Sequence, residues 1–573
     1  MRRRSWMSMH HACNQHTPIR RCTSLILILS LLFLVSPSLG TETGGGGPTE
    51  GWYKPRQAAD RGVPVFIMMP LNAVTNETEP QLVRWYDGRP IEWCLDQLKA
   101  NGAHGVMVDV WFGLVERDRP HQYRWKPYLD LCEILKGKGL KLQTVLSFHQ
   151  CGGNVGDKCM IPLPRWILDI GNKNNDIFFK DTHGNVDTEY VSWGADEQPL
   201  FAGRTMLEVY RDFMQDFRRT FDRYFGEVIV QVQIGLGPAG ELRYPSYQLQ
   251  RWSFCGIGEF QCYDRYMLER LRQAAERAGV PAWGHAPYPE DVGNYSSMPD
   301  ESLFFRNDEG MWNTQYGTWF LSWYSQELID HADRVLGMAR SVFGDLPPAV
   351  TLAAKQAGVH WHVRSKSHAA ELTAGYFNTR FRDGYVPIFR VFAKHNVTVV
   401  FTCMEMRDKN QPADCACSPE ELVGAVVRAA VMTQVRFAGE NAIAFYDTDS
   451  YRQISGVARS YQVTSGQPME AFTYLRWTDP FQVFIQNNTQ RTVLGSKFFA
   501  FVESMSVDRA AEPLYPAYPP RTPLPTPAVN GSDGNARNVP SGGAAATGNV
   551  SDTSSTATVP EGETGGRQPD VSK

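Results

Sequence analysis

Apolar residues in this chain collect in short unbroken runs, separated by longer stretches where they recur every three or four positions. The unbroken runs fall at residues 63–71, 105–113, 140–148, 228–234, 349–354, 397–402, 435–438 and 472–475. Too short for buried helices and rich in Val, Ile and Phe, they read as strands covered on both faces. Helical spacing occupies 91–99, which stops at Asn101-Gly102, and 127–135, which ends at Gly137 and Gly139. It returns at about 205–224, 320–339, 387–395 and 419–432. Strand alternating with helix predicts a parallel sheet wrapped in helices. Eight strands predict closure into a (β/α)8 barrel with long loops rather than an open sheet. No GxGxxG follows the first strand, which argues against a dinucleotide-binding fold.

The ends of the chain break this pattern. Residues 1–41 contain no Asp or Glu, carry Arg2, Arg3, Arg4, Arg20 and Arg21, and include an aliphatic run at 25–35. A signal peptide over 1–40 is the first reading, with a plastid transit peptide as its competitor. Residues 41–60 read as a flexible spacer and 61–506 as the barrel; 507–573, rich in Pro, Thr, Ser and Gly, reads as a disordered tail. Once a signal is removed, no stable membrane insertion is expected.

A formal charge of −4 offers no basic surface for nucleic acid. The eleven cysteines show no regular spacing and no zinc-type pair, so neither a disulfide framework nor a structural metal is expected. Cys255 with Cys262, or Cys415 with Cys417, are the pairs that sequence proximity suggests, while Cys94, Cys132 and Cys403 read as buried free thiols. Six N-x-S/T sequons, the first at Asn76, matter only if the chain is secreted.

Chemistry gathers where the strands end, the working rim of such a barrel. The residues there are Asp109; His149 and Asp157; Glu241; Lys355, His360 and Trp361; Thr402 and Glu405; Glu440 and Asn441; and Arg476. Paired carboxylates among donors and aromatics suit glycoside hydrolysis, one protonating the leaving oxygen and the other activating water or attacking. Residue type alone leaves the pair open among Asp109, Glu241, Glu405 and Glu440. The segment 235–247, GLGPAGELRYPSY, is the densest case: three glycines and Pro238 stiffen a loop that carries a carboxylate, a guanidinium and two tyrosines.

HQCGGNVGD (149–157), GLGPAGELRYPSY (235–247), HAAELTAGY (368–376), FTCMEMRD (401–408) and AGENA (438–442) together resemble the plant β-amylases, in unbroken order from about residue 63 to 476. The resemblance implies a barrel exo-hydrolase that releases β-maltose from the non-reducing ends of α-1,4-glucans with inversion. It implies Glu241 as general acid and Glu440 as general base, Thr402 on an inner loop and Asp157 on a mobile lid. Asp109, His149, Lys355, His360, Trp361, Asn441 and Arg476 are then expected to bind sugar. No metal and no organic cofactor is implied, and the oligomeric state is left open. The chain departs from the family pattern at Phe112, Gln248, His362 and Ile443, which bears on glucan affinity rather than on the acid and base.

Overall fold

A computed structural model describes residues 62–477, apart from Asp87 and Tyr446, and residues 493–506. The expected targeting segment, spacer and tail lie outside these residues. Eight parallel strands close on themselves: β1 (Val65–Met68), β2 (Gly105–Trp111), β3 (Lys141–Ser147), β4 (Ile229–Ile234), β5 (Thr351–Gln356), β6 (Val397–Phe401), β7 (Phe437–Glu440) and β8 (Phe472–Tyr474). Each pairs with its neighbours in sequence, and β1 closes the ring by pairing with β2 through Phe66↔Gly105 and with β8 through Val65↔Phe472. Every strand foreseen in the sequence is present.

Side chains alternate across a strand, so one column in two points into the barrel. The inward columns begin with small or apolar residues: Met107 packs with Val145 and Met68, and Ala353 with Val400 and Ala438. Lower down, Thr473 Oγ1 donates to Gln143 Oε1 at 2.8 Å, so the floor is partly polar. Two residues further along the same columns stand Asp109, Ser147, Lys355 and Glu440. The period of two thus delivers the chemical residues to one end.

Outside, the helices that cover the sheet among the described residues include α1 (Ile91–Ala100), α2 (Lys126–Lys138), α3 (Met206–Thr220), α4 (Gln315–Phe343), α5 (Tyr385–Lys394), α6 (Pro419–Thr433), α7 (Thr448–Ser465) and α8 (Val493–Ser506). Among the described residues no helix is long and apolar enough to cross a membrane. Thr205 caps α3 in a reciprocal box: its Oγ1 accepts from Glu208 N at 3.2 Å and Glu208 Oε2 accepts from Thr205 N at 2.9 Å. The buried face of that helix sends Phe213 against Phe112 and Phe148. α7 is absent from the sequence reading because Ser, Thr, Gln and Arg interrupt its apolar stripe. Asp447 caps its start, accepting from Ser450 N at 2.8 Å.

The cysteine pairing differs from the expectation. Cys255 bonds Cys415 across 160 residues, and Cys151 bonds Cys159, with Cα atoms 5.8 Å apart in each pair. Cys262 and Cys417 are buried free thiols, as are Cys94, Cys132 and Cys403. Sequence neighbours lost to spatial neighbours because the loops after β4 and β6 lie side by side.

Candidate active site

The loop after β4 carries the first carboxylate. Gly240 takes φ +75°, a conformation that side-chain-bearing residues rarely adopt, and a Cβ on Gly237 would sit 2.6 Å from Glu241 O. These two glycines fold the loop back so that Glu241 pairs in register with Lys355 of β5, where Leu242 N donates to Lys355 O at 2.9 Å. Glu241 is partly exposed, and its Oε2 accepts from Arg243 Nε at 2.8 Å. Arg243 is itself buried, with its guanidinium 4.2 Å from the centre of the Tyr247 ring.

The second carboxylate needs no loop. Glu440 ends β7, is fully buried, and accepts from Lys355 Nζ at 2.9 Å through Oε2. Burial raises its pKa, Lys355 opposes that rise, and the neighbouring Glu241 carboxyl adds to it. Lys355 is therefore the hinge of the site: its backbone holds the Glu241 loop and its ammonium holds Glu440.

Around this pair, Asp109 Oδ1 accepts from Ser147 Oγ at 2.8 Å, and burial raises its pKa. His149 stands edge-on to Trp111 at 5.2 Å, and burial with the charges of Lys355 and Arg243 pushes its pKa down to about 3, so the ring is neutral. Arg476 Nη2 lies 3.3 Å from Met68 Sδ, and the charges of Asp109, Asp157 and Glu440 act on it. Asp109 Oδ2, His149 Nδ1, Glu440 Oε1 and Arg476 Nε are buried with no hydrogen-bond partner among the described residues. Buried polar atoms are nearly always paired, so four unpaired ones at one rim mark a place built for a polar ligand.

With this geometry in place, the chain compares directly with known proteins. Residues 66–505 match the sequence pattern of glycosyl hydrolase family 14.

The chain belongs to that family.

It is 45% identical over 485 residues to beta-amylase 1, chloroplastic, of Arabidopsis thaliana, covering 83% of this chain and 81% of the relative. It is 48% identical over 447 residues to beta-amylase 1, chloroplastic, of Oryza sativa subsp. japonica, covering 78% and 81%. Among solved structures, the catalytic domain of beta-amylase from Paenibacillus polymyxa superposes with a TM-score of 0.63 at 29% identity, over 78% of this chain and 99% of that one.

Within this family 14 glycoside hydrolase, several candidates serve the frame around the site. Glu405 accepts from Ala442 N at 3.0 Å and Ile443 N at 2.9 Å, which fixes the turn after Glu440. Asn441 holds β7 to the start of the next loop, accepting from Leu475 N at 2.8 Å and donating to Ile443 O at 3.0 Å. Trp361 donates its indole N–H to Gly256 O at 2.8 Å and packs against Trp252, Tyr247 and Phe254. Thr402 Oγ1 accepts from Gly358 N at 2.9 Å, joining the loops after β5 and β6. His360 faces Phe254, with burial lowering its pKa. Asp157 closes the 149–157 loop on itself, its Oδ2 accepting from Gly152 N and Asn154 N at 3.0 Å each.

The four departures from the family pattern sort by burial. Phe112 is core, His362 Nε2 donates to Cys255 O at 2.6 Å inside the frame, and Gln248 Nε2 donates to Pro245 O at 3.2 Å. Ile443, 52% exposed, is the one that solvent reaches freely. Sequence reasoning passed over Asn154 and Glu189, which join the site through hydrogen bonds given below. No motif or spacing marks Glu189, whose place depends on a hairpin packing against the loop 149–157.

Proposed function

We propose that this chain is a β-amylase that hydrolyses α-1,4-glucosidic bonds from non-reducing ends and releases β-maltose with inversion. Glu241 protonates the leaving glycosidic oxygen. Glu440 takes a proton from water attacking the opposite face of the sugar. The observation that carries this reading is the group of four unpaired buried polar atoms, Glu440 Oε1 among them, at the rim that carries both carboxylates. A hydroxyl-rich substrate supplies what they lack: Asp109 Oδ2 accepts from sugar hydroxyls, Arg476 Nε donates to them, and neutral His149 does either. Lys355 opposes the rise that burial gives the Glu440 pKa and so favours the ionised form a base requires. Asp157, His360, Trp361, Thr402 and Asn441 shape the cleft and lid around the glucan. The chemistry needs no metal or organic cofactor.

The test is incubation with maltoheptaose or soluble starch, following the product anomer by NMR. Maltose appearing first as the β-anomer is expected. Mixed oligosaccharides or an α-product would overturn the mechanism, and glucan binding without release would make the chain a binding protein. Glu241→Gln keeps the shape but not the proton, so kcat is expected to fall about 10³-fold while maltose still binds.

The catalytic unit in this reading spans 61–506, between a targeting segment and a C-terminal tail. The names of relatives from Arabidopsis and rice include "chloroplastic", which supports plastid import for this chain over secretion. N-terminal sequencing of the mature protein, with a glycosidase mobility-shift assay, separates the two.

A further inference from the structure

Glu189 lies on the hairpin formed by Phe178–Lys180 and Val186–Val191, within the long connection between β3 and α3. Its carboxylate is buried, and one oxygen serves two loops. Oε1 accepts from Asn154 Nδ2 at 2.6 Å and from Ala239 N at 2.8 Å. The first donor belongs to the lid segment 149–157 and the second to the glycine-rich loop that carries Glu241. The same residue supports the lid again through its backbone, where Gln150 N donates to Glu189 O at 2.8 Å.

Asn154 continues the connection. Its Oδ1 accepts from Arg243 Nη2 at 2.8 Å, and Arg243 Nε donates to Glu241 Oε2 at 2.8 Å. The third nitrogen, Nη1, donates to Tyr244 O at 3.3 Å. The guanidinium is thus held by three acceptors, of which only the Asn154 amide can leave with the lid. Because Arg243 occupies Oε2 of Glu241, the proton of the acid belongs on Oε1.

We propose that Asn154 is a positioning residue: carried by the lid, it bridges Glu189 to Arg243 and thereby fixes the guanidinium that orients Glu241. Seating the lid and aligning the acid become one event. This rests on the reading of Glu241 as the acid. Other charged or titratable groups face the connection. Asp187 raises the pKa of Glu189 beyond the effect of burial, Arg251 acts on Asp187, and Tyr247 lies against Arg243. Burial and the neighbouring Asp187 push the pKa of Glu189 up, which favours its neutral form and makes glutamine its close mimic.

The experiment compares Asn154→Ala, Glu189→Ala, Glu189→Gln and Glu241→Gln in the full chain on maltoheptaose, with kcat, KM, the pH profile and Tm for each. Asn154→Ala is expected to lower kcat about tenfold with KM changed less than about threefold, because alignment rather than binding is lost. A loosened Arg243 stabilises the Glu241 carboxylate less, so the alkaline limb of kcat/KM moves up by about half a pH unit or more. Glu189→Gln, which keeps the acceptor oxygen, recovers most of what Glu189→Ala loses. Wild-type kcat and limb in Asn154→Ala, beside an inactive Glu241→Gln, would overturn the proposal and leave the acid assignment standing. A lower kcat with an unmoved limb would overturn it too, reducing Asn154 to a lid-folding contact. An active Glu241→Gln would take both readings down. Should Asn154→Ala lose Tm, the Glu189 pair decides by the same limb.

Discussion

Glu241 and Glu440 reach the same rim by opposite means. Glu440 is the last residue of a barrel strand, fully buried, and its partner Lys355 is itself in a strand. Its position follows from the register of the sheet, so it moves only if the barrel moves. Glu241 sits on a loop folded by two glycines, and its partner Arg243 is tied to a segment closed by Cys151–Cys159. On the proposed assignment the base is part of the scaffold, and the acid is tied to the loop 149–157. That division would suit the proposed reaction, because a base must be ready whenever water arrives, whereas an acid aligned only when that loop is seated would protonate nothing prematurely.

The comparison breaks most forcibly at Lys355. Lys355→Met leaves the Glu440 carboxylate buried without its ammonium partner, so its pKa rises further. A base with a raised pKa is protonated over more of the acid range, and the acid limb of kcat/KM must move to higher pH. Turnover near pH 6 is expected to fall about a hundredfold, read from a full pH–rate profile. An unmoved acid limb would remove Glu440 from the role of base.

A smaller effect sharpens the other side. Cys159→Ser opens the disulfide across the lid without touching the barrel, and kcat is expected to fall about threefold with the acid limb unchanged. A shift of that limb would show that the two carboxylates are not independently mounted.

The smallest effect tests Glu405, the carboxylate that holds the turn after Glu440. Burial pushes the pKa of Glu405 up to about 7, above its unfolded value, so the folded state binds its proton more tightly. That contribution to stability is complete below the unfolded pKa and is lost as pH rises from there through about 7. Glu405→Gln retains an acceptor for Ala442 and Ile443 but has no proton to lose. Relative to wild type, its Tm is expected to improve by about 1–3 °C between pH 5 and pH 8, measured by calorimetry.

What could be read from the sequence follows these same lines. The strands announced themselves because a strand covered on both faces must be apolar throughout, and the motifs at their ends fell in register with that reading. The sequence pattern places Lys355 just after its strand; pairing of Lys355 with Val400 and Gln356 with Phe401 extends β5 through both residues. Asn441 and Trp361 have residue types that suit sugars, yet the carbonyls and amides they meet belong to loops distant in sequence. Cys255 gave no sign of Cys415, nor Glu189 of Asn154, because nothing local records which loops the barrel brings side by side.

Closure of the ring has a consequence for how the protein is made. Trp477 N donates to Met68 O at 2.8 Å, and Val63 N to Met505 O at 2.7 Å. A ribosome delivers the chain from one end, so β1 waits for its second neighbour until almost the whole barrel has been synthesised. Arg476 arrives with that last strand, and until then the cleft lacks one of its walls. A nascent chain consequently holds exposed strand edges for most of its synthesis, the condition under which chaperones are needed. It also stays unlocked, and so able to be threaded through a translocation pore, until its final strand is released.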